Sequence, residues 1–253
     1  MNCEYRIDEE NIIVYRLTPW DTRSFGFITS ELLSVSYSGK EQLDNLIAAF
    51  HSFNEKEKVR FCYTRINSKD YFLKDYLQRN GFYYAETSLS ILKNNILSFV
   101  PDERVPKLVL EKALPEDYEA IKTISRDDFD HSRFHEDINI DRDLARTRFY
   151  NWVEDLIRQE KEIYVVRLKG EIIGFNIQHV EGDTAHIILT GCKKSKSVLS
   201  VALWQAVIMD LKERNIRNFA TLISAANTGV FNLYCYFQFK VMNTLVGMHR
   251  FYY

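Results

Sequence analysis

Between Glu162 and Gly191 the chain reads "EIYVVRLKGEIIGFNIQHVEGDTAHIILTG". Three β-branched, aromatic-rich runs are separated by turn residues at Lys169-Gly170 and Glu181-Gly182-Asp183, which predicts three consecutive strands. The flanking periodicities narrow the choice of fold. Before them come a strand at "LVLEKA", a helix opened by Pro115, the charged loop "RDDFDHSRFHED", and a helix over Asp141 to Glu160 with Phe149, Trp152, Val153 and Leu156 on one face. After them come a helix from Val198 to Arg214, a strand from Phe219 to Ala225, a short helix from Val230 to Phe237 and a final strand from Phe239 to Tyr252. The order β-α-α-β-β-β-α-β-α-β predicts an α/β fold with a mixed central sheet flanked by helices.

The first half carries a shorter version of this pattern. Strands are predicted at Ile12 to Leu17, Ile28 to Ser36, Val59 to Ile66 and Phe82 to Leu92, with a loop from Trp20 to Phe27. Helical spacing links Leu43, Leu46, Ile47 and Phe50, and again Phe72, Leu73, Tyr76 and Leu77, with a stop at Asn80-Gly81. Two of the four prolines fall in "NNILSFVPDERVPK", so a domain boundary is expected there, with a smaller α/β module over 1–100 and a second domain over 101–253. Both halves end in a helix, a tight turn and a Phe-led strand: "YLQRNGFYYAETSLSIL" and "YCYFQFKVMNTLVGMHRF". A degenerate internal repeat would give this, as would any helix–turn–strand corner.

Composition excludes some function classes. The net charge of −2 gives no general attraction to nucleic acid or to an anionic membrane. No apolar run approaches the roughly 18 residues of a membrane span, and the polar opening "MNCEYR" is unlike a signal peptide. The four cysteines are scattered without metal-ligand spacing, so reduced thiols in a cytoplasmic protein are expected.

"LTGCKKSKS", Leu189 to Ser197, lies between a strand and a helix, where a phosphate-cradling loop belongs in several α/β folds. Such loops are normally glycine-rich, and this one has Gly191 alone. Backbone N–H groups at a helix start still bind phosphate, and Lys193, Lys194 and Lys196 add charge, with Gly191 expected as a hinge. A solvated turn is the alternative. His131 and His135, four apart among Asp128, Asp130 and Asp137, could bind a metal if helical. The segment reads as loop, so no metal site is expected.

"NTGVFNLYCYFQF", Asn227 to Phe239, resembles the late motif of GNAT-type N-acetyltransferases, written loosely as N-x-x-A-x-x-L-Y-x-x-x-G-F. The resemblance implies a helix beside coenzyme A, with Tyr234 as the acid that protonates the departing thiolate. Gln238 stands where that family has Gly. The family's R/Q-x-x-G-x-G/A loop falls on Ser195, Val198 and Ser200, or, in an earlier register, on Lys193 and Lys196. Both registers lack the glycines. The resemblance thus implies acetyl-CoA as cosubstrate, held by Leu189, Gly191, Lys193, Lys194, Ser195, Lys196, Ser197, Ser200 and Asn227, with the edge of strand His186 to Leu189 along its thiol arm.

Trp20-Asp21 with Phe25-Gly26, Gly81-Phe82 followed by Glu86, and Ser132-Arg133-Phe134 followed by "RFYNWVEDLI" resemble a narrower group. These are the bacterial acetyltransferases acting on dTDP-4-amino-4,6-dideoxygalactose. The likeness is patchy but spread over most of the chain in order. It implies Glu86 as general base through water, and Arg133 and Trp20 as contacts to the sugar nucleotide; Glu86 on a solvated strand face, and Arg133 paired with Asp128 or Asp130, are the bland alternatives. The expectation is a GNAT fold acetylating an amine on a small acceptor, preferably a nucleotide-linked amino sugar. A GNAT acting on another amine or on a protein, and a non-catalytic binding module with a decayed loop, are the rivals. A homodimer is left open, and no nucleic-acid or membrane partner is expected.

Overall fold

The computed structural model describes residues 2–252. In chain order the first half forms β1 (Cys3–Arg6), β2 (Ile12–Leu17), α1 (Pro19–Phe25), β3 (Thr29–Ser36), α2 (Lys40–Lys56), β4 (Phe61–Asn67), α3 (Tyr71–Arg79) and β5 (Tyr83–Lys93). The second half forms β6 (Leu110–Lys112), α4 (Tyr118–Asp127), α5 (Arg142–Arg158), β7 (Glu162–Leu168), β8 (Glu171–Glu181), β9 (Thr184–Cys192), α6 (Ser200–Glu213), β10 (Asn218–Ser224), α7 (Thr228–Tyr236) and β11 (Lys240–Phe251). The α/β order follows the sequence reading. Two elements were missed: the polar opening forms the strand β1, and the expected loop at Trp20 is the helix α1. Pro19 sits in its first turn and Gly26 caps its end at φ 75°, the two signals that delimit a short helix. Among the described residues no helix is long and apolar enough to cross a membrane.

Packing divides the chain after Thr87 and before Thr244. Residues through Thr87 and from Thr244 onward form the first unit, and Ser88–Asn243 form the second. This departs from the boundary expected at residue 100. The proline-rich stretch that suggested it packs within the second unit, where Phe99 joins the α6 core and Asp102 N–H donates to Gln205 at 2.9 Å. β5 and β11 each begin in one unit's sequence and end in the other's.

In the first unit β1-β2-β3-β4-β11 lie in that order, with β3 and β4 parallel and the other pairs antiparallel. Leu43, Leu46, Ile47 and Phe50 of α2, with Leu73 and Leu77 of α3, pack on Ile13, Leu32, Cys62, Ile66 and Met248. The opposite face of β4 carries Phe61, Tyr63 and Arg65, as strand alternation requires. There the Tyr63 hydroxyl donates to the fully buried Asp21 of α1.

The second unit orders its strands β5-β10-β9-β8-β7-β6, with only β9 and β10 parallel. One face is covered by α6 and α7 through Leu203, Trp204, Val207, Leu211, Leu233 and Tyr234. α6 is apolar nearly all round, and eight of its residues are buried, as that composition demands. The other face packs Phe149, Val153 and Leu156 of α5 with Ile121 and Ile124 of α4 on Phe175, Ile177 and Leu189.

Each unit holds a half-buried histidine whose pKa is lowered. In the first, Arg250 donates to His51 Nε2 at 3.0 Å, so the proton resides on Nδ1, 2.8 Å from the Tyr252 hydroxyl. Burial, then Arg250, pulls the His51 pKa down to about 4. In the second, burial lowers His135 to about 4, with Nδ1 on Ser132 at 2.9 Å. Unfolded imidazoles take up protons near their ordinary pKa of 6.5, while these two stay neutral until about 4. Stability should therefore fall as pH drops through that window and level off below it, by roughly 2 kcal/mol per imidazole. Urea midpoints for the parent, His51→Gln and His135→Gln at both ends of the window would check this; each variant should lose about half of the acid sensitivity, and an unchanged slope would refute the assignment.

Candidate active site

The two parallel strand pairs share an unusual geometry. β9 and β10 are in register only over Thr184–Asn218, Ala185–Phe219 and His186–Ala220. Beyond His186 the next residue pair of β9 with β8 is shifted, leaving Ile188 as an extra residue between Ile187 and Leu189. A bulge bends and twists its strand. β9 leaves β10 at the bulge and runs on to Cys192, while Thr221–Ser224 of β10 pair only with β5. The result is a fork whose arms expose extended backbone. In the first unit β3 and β4 part in the same way after Leu32–Thr64, with Leu33 as the extra residue.

The corners after the two forks match as well. Asp70 caps α3 by accepting from Leu73 N–H at 3.0 Å, and Asn227 caps α7 by accepting from Val230 N–H at 3.1 Å. Phe82 N–H bonds the Leu77 carbonyl and Phe239 N–H bonds the Tyr234 carbonyl, both at 3.0 Å. Gly81 and Gln238 both turn through the left-handed region, at φ 81° and 60°. Gln238 does so without glycine's freedom. The units are therefore two copies of one motif, with Thr64 equivalent to Thr221 and Leu77 to Tyr234. Matching Tyr76 with Tyr234, as the bare sequences invite, is one residue out of step.

The copies differ where chemistry would occur. In the first, Tyr37, just past the end of β3, donates to Asp70 at 3.0 Å and packs tilted against Phe72, tying the end of β3 to the cap of α3. The apolar Leu77 fills the other position, fully buried. In the second, the tyrosine hydroxyl is present. Tyr234 packs on Trp204 and Phe239, with its hydroxyl near Thr221. Thr221 Oγ1 in turn donates to the Ile187 carbonyl at 3.1 Å, next to the bulge. Burial pushes the Tyr234 pKa well above the ordinary phenol range, so the proton is held at neutral pH.

The lysine loop is ordered rather than glycine-like. Lys194–Leu199 form a short 3₁₀ stretch that runs into α6 at Ser200. Lys193 pairs with Glu171 and Lys194 with Asp130, each at 2.6 Å, while Lys196 makes no ion pair among the described residues. Ser195 and Ser197 are exposed at the start of this stretch. Helix-start N–H groups and Lys196 can hold a phosphate here, and an extended thiol arm can lie along Ile187 to Gly191; glycine is not needed for either. Gly191 is no hinge. It lies inside β9, and a Cβ there would meet the Phe129 ring at 2.6 Å, so its bareness serves close packing. Leu189 is 8% exposed and belongs to the α4–α5 core, and Asn227 is engaged as a cap.

The remaining expected residues take other surroundings. Glu86 is 1% exposed rather than solvent-facing. Arg65 Nη2 and Nε donate to its Oε1 at 2.6 and 2.9 Å. The pair meets over Gly247 of β11, where a Cβ would lie 2.8 Å from Glu86 Cγ. Trp20 stacks under the Arg16 guanidinium at 4.9 Å. Arg133 is buried with its guanidinium 5.0 Å from the Phe134 ring. Asp130, one partner considered for it, is paired with Lys194 instead. His131 lies 3.8 Å from Glu136 and His135 bonds Ser132, so the two histidines do not converge.

No protein-family model matches the chain. Solved structures do match over nearly its whole length. A GCN5-related N-acetyltransferase from Sphaerobacter thermophilus is similar with a TM-score of 0.68 at 12% identity, over 98% of this chain and 82% of that one. A tandem GNAT protein from the clavulanic acid biosynthesis pathway gives 0.61 at 12% identity, over 99% and 83%. The fold is that of the GNAT N-acetyltransferases. A GCN5-related glucosamine N-acetyltransferase region of a fungal multi-domain GH3 β-N-acetylglucosaminidase gives 0.71 at 9% identity, over 94% of this chain and 31% of that one. In sequence, the chain is 25% identical over 169 residues to the spore coat polysaccharide biosynthesis protein SpsD of Bacillus subtilis (strain 168), covering 66% of this chain and 57% of that protein. The match thus spans little more than half of SpsD. The tandem GNAT likeness agrees with the two forks found within this chain.

Proposed function

We propose that the chain is an acetyl-CoA-dependent N-acetyltransferase whose single working copy of the GNAT motif is the second. The observation that carries this reading is the buried Tyr234, seated between Trp204 and Phe239 near Thr221, whose own hydroxyl bonds β9 where β9 and β10 part. The thioester would supply the acetyl group, and Tyr234 would hold the proton that the departing thiolate needs. The first copy has Leu77 in that position and Tyr37 across its fork, which suits a structural role. For the general base, the resemblance favours Glu86.

A nucleotide-linked amino sugar is the proposed acceptor. Its support is the likeness to SpsD, named for polysaccharide biosynthesis, and to a glucosamine N-acetyltransferase region, beside the sequence resemblance described first. Acetyl-CoA at 100 times its dissociation constant should stabilise the protein by about 2.7 kcal/mol, read as a rise in melting temperature. Thiol release should then require an amine, with 4-amino dTDP sugars ahead of free amino sugars and peptides. Binding without thiol release from any amine would favour the non-catalytic module, and peptides reacting alone would move the acceptor to protein.

A further inference from the structure

The duplicated motif puts a basic side chain at the same place in each copy. Lys93 of β5 lies opposite Phe219 of β10, and Arg250 of β11 lies opposite Cys62 of β4. With Thr64 equivalent to Thr221, Cys62 is equivalent to Phe219, so Lys93 and Arg250 correspond. Each donates to the carbonyl just before the left-handed turn: Lys93 Nζ to Phe237 at 2.9 Å, and Arg250 Nη1 to Asn80.

The two cations differ in what else they meet. Arg250 also donates to His51 at 3.0 Å and lies 4.6 Å over the Tyr252 ring. Gly81 makes room for it, since a Cβ there would stand 3.4 Å from the guanidinium carbon. Lys93 makes no ion pair and no second hydrogen bond among the described residues. Its half-buried ammonium sits 5.9 Å from the centre of the Phe99 ring. Burial pulls its pKa below the ordinary lysine range, with no carboxylate to offset it. The carbonyl end of α7 takes one of its three N–H groups and carries only a fraction of a charge.

A cavity of about 390 Å³ opens here, with Lys93, Phe99, Asp102, Tyr236 and Gln238 in its wall. Small-molecule pockets run to about 300–1,000 Å³. The carboxylate in the wall is engaged: Asp102 takes Arg104 at 2.8 and 3.0 Å and the Tyr236 hydroxyl at 3.1 Å. Donors remain open. Lys93 keeps two N–H groups, and the Gln238 carboxamide makes no hydrogen bond among the described residues. Gln238 holds φ 60° where the first copy has Gly81. That conformation is costly for a residue with a Cβ, yet here it sets a polar side chain at the cavity.

We propose that this cavity binds a small organic anion, a carboxylate or phosphate monoester on a flat apolar body. Lys93 and Gln238 donate to its oxygens, and Phe99 and Tyr236 flank its body. A charge-assisted hydrogen bond to a half-buried ammonium is among the stronger contacts a site can make. The site goes beyond the acetyltransferase reading and would stand if that reading failed.

The test titrates the full-length protein, by ligand-observed NMR, with benzoate, phenyl phosphate and the neutral benzyl alcohol. At least one anion should bind about tenfold or more tighter than benzyl alcohol, and the tighter of the two tells a carboxylate source from a phosphate source. Lys93→Met should weaken that anion by about 10- to 100-fold. Gln238→Gly should weaken it by about threefold. It should also melt no lower than the parent, because glycine is at ease in the left-handed turn. It therefore decides the matter if Lys93→Met folds poorly. Lys196→Ala, in the lysine loop, should change nothing. No anion binding at millimolar concentration would overturn the proposal, as would equal binding of benzyl alcohol or unchanged affinity in both Lys93→Met and Gln238→Gly. Loss of binding in Lys196→Ala would put the anion at the lysine loop and overturn it too. Acetyl-CoA titration and thiol release judge the acetyltransferase reading separately.

Discussion

Tyr234→Phe should bind acetyl-CoA as tightly as the parent and turn over roughly 10²- to 10⁴-fold more slowly, the range for loss of a general acid. The ring stays, so its contacts with Trp204 and Phe239 stay. What goes is the buried hydroxyl near Thr221. Thr221 keeps its bond to the Ile187 carbonyl, so the stability cost should be about 1 kcal/mol. An acetyl-CoA titration beside single-turnover rates separates the outcomes. Undiminished turnover would remove Tyr234 from the chemistry. A matching change at Leu77, to Met, should leave turnover alone, because that copy carries no donor.

Arg65→Met should be the most destabilising single change in the first unit that leaves the core untouched. It strips the guanidinium from a carboxylate that is 1% exposed. Breaking a buried pair from one side costs about 3–5 kcal/mol, and the 28% exposure of the Arg65 side chain places this case near the lower end. At about 2–4 °C per kcal/mol, the melting temperature should drop by several degrees. The second change Glu86→Gln, made on top of Arg65→Met, should restore most of the loss by removing the charge. If the double variant is no more stable than Arg65→Met, the pair is not the source of the cost. Turnover of Glu86→Gln alone, with its low-pH limb, tests the base separately.

Much of this was legible in the sequence because it depends on local rules. Strand alternation, helical spacing and turn residues placed most elements, and Asn227 announced itself as a cap. The short helix α1 was missed because seven residues carry too little periodicity; only Pro19 and Gly26 mark it. The bulges were invisible, since an extra residue in a strand looks like any other until its partner is known. Gly191 looked like a hinge because the Phe129 ring that fills its empty side comes from a segment far away in sequence. The bond from Ser224 to Glu136 was equally hidden: Glu136 lies in a loop whose charges looked solvated, and nothing in its spacing points to Ser224. The lysines showed their charge but not the carboxylates of Glu171 and Asp130 that hold two of them.

The division of strands between the units has a bearing on synthesis. The second unit is one contiguous run, Ser88–Asn243, and can close as it leaves the ribosome. The first cannot, because its strand β11 is completed only after the whole of the second unit has been translated. Until then β4 is paired on one side only, by β3, and the edge carrying Phe61, Cys62 and Tyr63 stays bare in the nascent chain. A bare apolar edge is a template for pairing with another chain. Two copies sharing their last strands thus make the earliest-made half the last to mature, and every ribosome-bound intermediate a candidate for chaperone capture.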